Sequence, residues 1–455
     1  MVQLRPAVPP DGGGPRHLKD ALRRWSPTRA FGRVVLIVGI MLGSAMLRGR
    51  ADLVVLAAPF ALGAALGIWR RPTRVPQVAV TMGAEFTGEG GRVPAGLSVG
   101  NPGEVPYDLV ILRTAISPWL VVPHGDRPYV TTVPPGAAAD LELAVRAVRW
   151  GRPALGPAVA HAVAADGLLV SDPGVGRARR IKVYPVTDPF EADDSMPRAA
   201  GLVGVHHSRR PGEGGELAGV RRFAPGDRLR RIDWRTSLRT RELHVAATLS
   251  DRDAEVVLVL DVLHEAGRSG GIHGARSVLD TTVRAAAGIA EHYLHRGDRV
   301  ALLEYGFRAR RLRAASGRRQ YHTVLEWLLG VNAAAGGFEP SPDAFGPHTV
   351  SANALVVVLT PLLDLRAAAM VARFARAGRF VVGVDTLPAD VPLPGAIHGD
   401  WTAAAGRLWS LERTNTLGQL REHGVPVVAW AGPGSLDEVL RQVSRMASAP
   451  KAIGR

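Results

Sequence analysis

The chain has 455 residues, enough for two or three domains with cores of their own. It contains no cysteine, which excludes disulfides, thiol catalysis and cysteine-based zinc sites. The formal net charge of +15 rests almost wholly on arginine, the only lysines being Lys19, Lys182 and Lys451. Such a balance suits anionic lipid, nucleic acid or an acidic protein partner without choosing among them.

Residues 1–29 are Pro/Gly-rich and then basic, with Arg16, Lys19, Arg23, Arg24 and Arg29 and no sustained apolar pattern. They read as a mostly disordered cytosolic tail. Two apolar runs follow, Val34–Leu47 and Leu53–Trp69, separated by Arg48-Gly-Arg-Ala-Asp52. Each is near the lower limit of the ~17–25 residues that span a bilayer, the first with the help of Phe31 and a snorkelling Arg33. Together they predict a transmembrane helical hairpin over 30–70. Seven Lys/Arg precede the first run and Arg70, Arg71 and Arg74 follow the second, against two in the turn. The positive-inside rule then keeps both ends cytosolic, giving a multi-pass protein of the cell membrane whose soluble domains are cytoplasmic. A cleaved signal peptide is the alternative, and a second apolar run so close behind the first argues against it.

From Pro76 to about Pro185 the pattern turns to short β-branched or alternating segments: Gln77–Thr81, Leu109–Thr114, Leu141–Val148 and Ile181–Tyr184. Turn clusters such as Asn101-Pro-Gly, Pro134-Pro-Gly and Asp172-Pro-Gly punctuate them. Regularly interrupted short strands predict a β-sandwich-like domain over 76–185. Residues 186–218 are Pro- and Gly-rich with an acidic start and read as an exposed linker.

The segment 219–245 places eight arginines, from Arg221 to Arg241, around only two aspartates, Asp227 and Asp233, with Trp234 among them. Pro225-Gly226 signals a turn, and Asp227 is placed to cap a short helical turn after it. Ile232, Trp234 and Leu238 are expected to supply apolar contacts. Two readings stay open. In one, this is a basic linker whose aspartates pair neighbouring arginines. In the other it is a folded hinge presenting Arg221, Arg222, Arg230, Arg231 and Arg235, with Asp227, Asp233 and Trp234, to an acidic partner, because guanidinium forks bind carboxylates and phosphates bidentately.

Beyond it the period changes again. Strands are expected at Val256–Asp261, Arg299–Tyr305, Ala354–Thr360, Phe380–Asp385 and Val425–Trp430. Helices are expected at Ala275–His295, Gln320–Val331, Leu365–Ala377, Thr402–His423 and from Ser435 to Ala447. Apolar runs alternating with amphipathic helices predict a doubly wound α/β domain over about 250–450.

The ordered string Arg221, Phe223, Pro225-Gly226-Asp227, Arg230-Arg231-Ile232-Asp233-Trp234 resembles the signature of the bacterial domain-of-unknown-function-58 family, with Phe223 where that family more often has tyrosine. Trp150-Gly-Arg-Pro-Ala-Leu-Gly-Pro157 and Asp166-Gly-Leu168 resemble, in eroded form, the passage that precedes this signature. With hairpin and sheet included, the resemblance covers roughly residues 30–450. It implies a non-enzymatic accessory or chaperone-like role beside an AAA+ ATPase of the MoxR type, and no catalytic residues. The α/β domain in turn resembles the von Willebrand factor type A fold, whose metal-ion-dependent adhesion site uses Asp-x-Ser-x-Ser on the first strand and an acidic residue after a later one. Here the string is Asp261-Val-Leu-His-Glu265, so Leu263 and Glu265 replace the serines. Mg²⁺ wants near-octahedral oxygen ligation and Leu263 offers none, although Glu265 and Asp364 are carboxylates within the pattern. The expected role of Asp261 is to end its strand and accept from nearby backbone, with no metal and no cofactor bound.

No Gly-Lys-Ser/Thr occurs, so the chain carries no P-loop. Gly96-Leu-Ser-Val-Gly100 fits the nucleophile-elbow string, but its β-rich setting makes Ser98 a strand residue. His206-His207 lacks further ligands nearby. Three functions therefore stand: a membrane-anchored adaptor for a MoxR-type ATPase and its client; a membrane-anchored nucleic-acid binder, disfavoured by the scarcity of aromatics for stacking; and a metal-dependent adhesion-type binding protein, which would lie outside the cell.

Overall fold

The computed structural model describes residues 2–6, 24–125, 127–187, 211–224, 232–249, 255–333, 349–351, 354–389, 391, 401–430 and 435. Two compact units divide the chain, Met1–Tyr184 and Pro185–Arg455.

In the first unit, strands β1 (Val2–Pro6) and β2 (Trp25–Pro27) precede helices α1 (Arg29–Arg48) and α2 (Ala51–Trp69). Strands β3 (Gln77–Met82), β4 (Phe86–Gly88), β5 (Arg92–Gly100), β6 (Tyr107–Ile116), β7 (Leu120–Val121), β8 (Tyr129–Val133) and β9 (Ala137–Ala147) follow. Then come β10 (Ala154–Ala164), β11 (Leu169–Ser171), β12 (Gly174–Gly176), β13 (Arg179–Arg180) and β14 (Lys182–Tyr184).

Thr28 caps α1 by accepting from the Phe31 amide at 3.3 Å, and Gly49, at φ 61°, ends it in the left-handed region that glycine enters without strain. At 20 and 19 residues, the two helices are long and apolar enough to cross a membrane. Leu36, Ile40, Met46, Leu47 and Val55 on these helices stand more than half exposed. Their base is fixed to the sheets. The Thr28 amide and hydroxyl donate to Leu168 O and Gly167 O, and Trp25 Nε1 and the Tyr107 hydroxyl both donate to Arg74 O.

Two mainly antiparallel sheets, β1-β9-β5-β3 and β2-β11-β10-β6-β8, close a single core. Val80, Leu97, Val99 and Leu143 from one meet Val110, Leu112, Leu155 and Ala160 from the other. The β-rich expectation thus holds, with two corrections at its margin. Residues 2–6 and 25–27 are not tail but edge strands, β1 paired with Ala137–Leu141 and β2 with Leu169–Ser171. Backbone pairing with distant partners places them, not any apolar pattern of their own. The rest of the expected tail, 7–23, lies outside the described residues.

The second unit begins with an antiparallel pair, β15 (Pro211–Arg222) and β16 (His244–Leu249), with the short helix α3 (Trp234–Thr240) between them. The expected linker therefore stops by Pro211, where β15 pairs with Leu249; residues 188–210 lie outside the described set. The main body comprises β17 (Glu255–Asp261), α4 (Val278–His295), β18 (Arg299–Tyr305), β19 (Arg311–Ala315) and α5 (Arg318–Leu328). It continues with β20 (Ala354–Thr360), α6 (Leu365–Arg376), β21 (Phe380–Asp385), α7 (Trp401–Glu422) and β22 (Val427–Ala429). The sheet order is β19-β18-β17-β20-β21-β22, with β19 antiparallel and the other five parallel. Val257, Val259, Val356 and Val358 share a core with Ala367, Met370 and Phe374 of α6, while α4 packs on the same strands through the alternate residues. The expected last helix falls outside the described residues apart from Ser435.

Candidate functional site

The chain runs from β17 outward to β18 and β19, then returns to β20 and continues to β21 and β22 on the other side. The order reverses between β17 and β20, and in open parallel sheets ligands settle outside the carboxyl ends of the strands at this reversal. Register brings Tyr305, Asp261, Thr360 and Asp385 to that end in a row.

Asp261 is 2% exposed. Its Oδ1 accepts from the Leu263 amide at 3.1 Å and its Oδ2 from the Thr360 hydroxyl at 2.6 Å. Burial pushes its carboxyl up to about 6, against those two hydrogen bonds, which favour the anion. Thr360 in turn accepts from the Leu362 amide at 3.0 Å, so the hydroxyl links both strand ends. Asp364 caps α6, accepting from the Arg366 amide at 2.8 Å. The same carboxylate takes the Arg366 guanidinium on both oxygens, at 2.6 to 3.0 Å, and His264 Nε2 contacts its Oδ2 at 2.9 Å. Arg366 first, then its own amide and His264, hold Asp364 well below the usual carboxylate range. Further along, Asp385 accepts from the Leu387 amide and meets Arg413 of α7 at 2.6 Å, while Arg413 also donates to Pro361 O.

This donor set does not fit a divalent ion. Leu263 is buried at 4% exposure where an oxygen ligand is needed, and Asp364 is wrapped by a guanidinium. Glu265 accepts from the Leu279 amide at 3.4 Å. Among the described residues no three His, Asp or Glu side chains converge as a metal cage would require. Asp261 and Asp364 were legible as a pair; the His264–Asp364 and Arg413–Asp385 contacts were not, because their partners lie 100 and 28 residues apart in the chain.

The arginine-rich segment is built differently. Asp233 caps α3, its Oδ1 accepting from the Thr236 amide at 2.9 Å, and its own amide donates to His244 O. Ser237, 7% exposed, clamps the helix to β16: its hydroxyl donates to Asp233 O at 2.7 Å and accepts from the His244 amide at 2.8 Å. Ile232 bridges Val245. Trp234 and Leu238, expected to supply apolar contacts, are 62% and 78% exposed, and the small polar Ser237 seats the helix instead. Arg222 pairs with Glu242 at 2.9 Å and the Arg221 guanidinium donates to Arg222 O. Arg235 stands exposed beside Trp234. Asp227, Arg230 and Arg231, with the turn that Asp227 was expected to cap, lie outside the described residues, as does His206-His207. Ser98 lies in β5, paired with Ala79 and Asp140, as a strand residue.

Residues 219–400 match the family described as protein of unknown function DUF58. The DUF58 match starts at the arginine-rich segment and carries through the strand-end row. Over 182 residues the chain is 30% identical to uncharacterised proteins of Mycobacterium bovis and Mycobacterium tuberculosis, covering 40% of this chain and 54% of each relative. The chain thus spans about half the length of those curated relatives. Among solved structures, a CARDB domain from Pyrococcus furiosus, solved with di-metal ions, aligns at 13% identity over 24% of this chain and 90% of its own, with a TM-score of 0.17. A non-cellulosomal cohesin from Archaeoglobus fulgidus aligns at 10% identity over 24% of this chain and 91% of its own, with a TM-score of 0.18. Scores that low carry no argument.

Proposed function

We propose that the chain is a membrane-anchored, non-enzymatic adaptor that works by holding a partner protein. The observation that carries this reading is the strand-end row itself. Asp261, Asp364 and Asp385 each engage a hydrogen-bond donor or cation from the same unit, an arrangement suited to holding loops in place rather than to attacking a substrate. In this reading the α/β body is of von Willebrand factor type A kind with its metal site replaced by internal pairs. Partner and client are those of the family resemblance, a MoxR-type AAA+ ATPase and the protein it remodels. The two apolar helices form a transmembrane hairpin with both soluble units on the cytoplasmic side, as the basic flanks favour.

The test is co-purification of the ATPase with the full chain from detergent-solubilised membranes, and its loss on Arg230→Glu with Arg231→Glu. Association unchanged by both reversals would remove the arginine-rich segment from the docking face. A turnover measured for the purified chain alone would overturn the non-enzymatic reading. Nucleic-acid binding remains the rival; it predicts a shifted DNA or RNA band that weakens steeply with salt.

A further inference from the structure

We propose that the outward face of α3 rests on the headgroups of an anionic bilayer, Trp234 and Leu238 entering the interface and Arg235, Arg239 and Arg241 pairing with lipid phosphate. The proposal rests on the membrane-anchored reading and goes beyond it, since it assigns this face to lipid rather than to the partner protein.

The helix is seated from one side only. The Asp233 amide and the Ser237 hydroxyl bond His244 of β16, and this fixes which side chains are left outside. Trp234 and Leu238, four residues apart, are neighbours on one helical face, 62% and 78% exposed. Arg235 and Arg239 lie one position on from each, exposed, and Arg241 follows at φ 58° as the left-handed end of the helix. Among the described residues, none of these three arginines has a carboxylate within ion-pair distance. An indole beside an aliphatic side chain, ringed by guanidinium groups, is the composition of an interfacial anchor: the indole sits at headgroup level and the cations are drawn to the anionic surface.

Size separates a lipid occupant from a protein one. A stable protein interface buries roughly 800 Å² on each side, with some 20–30 residues. The outward face of this seven-residue helix is far smaller. On a bilayer it needs only to be a second, weak signal, because two helices of membrane-spanning length already supply the first.

The absence of cysteine permits a clean readout. Leu238→Cys in the full chain is labelled with an environment-sensitive fluorophore and reconstituted into nanodiscs of phosphatidylcholine alone or with about one-third phosphatidylserine. Leu365→Cys, 76% exposed in the α/β body, serves as the control position. The expected result is a blue shift at 238 in the anionic discs only, reversed by about 0.5 M salt and abolished by Arg235→Glu with Arg239→Glu, with no shift at 365. A label that stays water-like in both lipids, or that shifts equally in both, overturns the proposal. If the chain fails to enter neutral discs at all, the anchor reading fails and this one with it. If the charge reversals abolish ATPase association while the label never leaves water, the face belongs to the protein partner.

Discussion

The strand-end row of the α/β body and the outer face of α3 both gather charge within the DUF58 match, and they use it in opposite ways. In the row, every aspartate faces a donor from its own fold: Thr360 for Asp261, Arg366 and His264 for Asp364, Arg413 for Asp385. On α3, one small serine seats the helix and the large side chains face outward. Charge that is internally matched positions loops, whereas charge and apolar surface left outside await another molecule. A chemist scanning for a site would stop at the first; the physical reading points to the second.

The contrast is broken most forcefully by Arg413→Ala. It leaves Asp385 without its guanidinium at a position only 13% exposed, and removing one partner of such a pair costs roughly 3 kcal/mol. A thermal midpoint within a degree of the parent would show that the row is not held together as described. Thr360→Val keeps the shape and deletes the hydroxyl that donates to buried Asp261, with an expected loss of about 2 kcal/mol in chemical denaturation. Asp364→Ala removes a helix cap and an exposed-side ion pair together, and about 1 kcal/mol should go.

Asp261→Asn sharpens the comparison through pH. In the folded chain the Asp261 carboxyl titrates at about 6, above its ordinary value of 3.8, so the folded state holds the proton more tightly than the unfolded one. Its contribution is therefore most favourable below about pH 4 and is lost as pH rises to about 6. Asp364, held low, has the opposite sign: its contribution is present above the ordinary carboxylate range and disappears only as pH falls through its depressed value. Asparagine at 261 should flatten the decline between about pH 4 and 6, and unfolding curves at pH 4, 5, 6 and 7 read this directly. An unchanged slope would assign the decline to other groups. The smallest effect is expected on the other side of the comparison. Trp234→Ala with Leu238→Ala should move stability by no more than about 0.5 kcal/mol, because neither side chain is packed.

How much of this could be read from the sequence follows the same division. Arg299–Tyr305, Ala354–Thr360 and Phe380–Asp385 carry their strand boundaries openly, since strands buried on both faces are unbroken apolar runs. The edge strand at Arg311–Ala315 was missed, because its alternation holds one large apolar residue, Leu312. The strands at Val2–Pro6 and Trp25–Pro27 exist through partners more than a hundred residues away, and local composition says nothing of them. Asp261 and Asp364 stood out by type and place. Their counter-groups did not, because no spacing rule links His264 to Asp364 across 100 residues or Arg413 to Asp385 across 28. On α3 the apolar contacts expected of Trp234 and Leu238 are not what seats the helix: both are largely exposed, and Ser237 holds it to β16.

The most direct test sets the strand-end row against the arginine-rich segment that precedes α3 in one experiment, recovery of the proposed partner, a MoxR-type ATPase, with the full chain from solubilised membranes. Arg230→Glu with Arg231→Glu should lose it, and Asp261→Asn should recover it at the parental level. Recovery that survives the arginine reversals and collapses with asparagine at 261 would place the working surface at the strand ends and contradict the account.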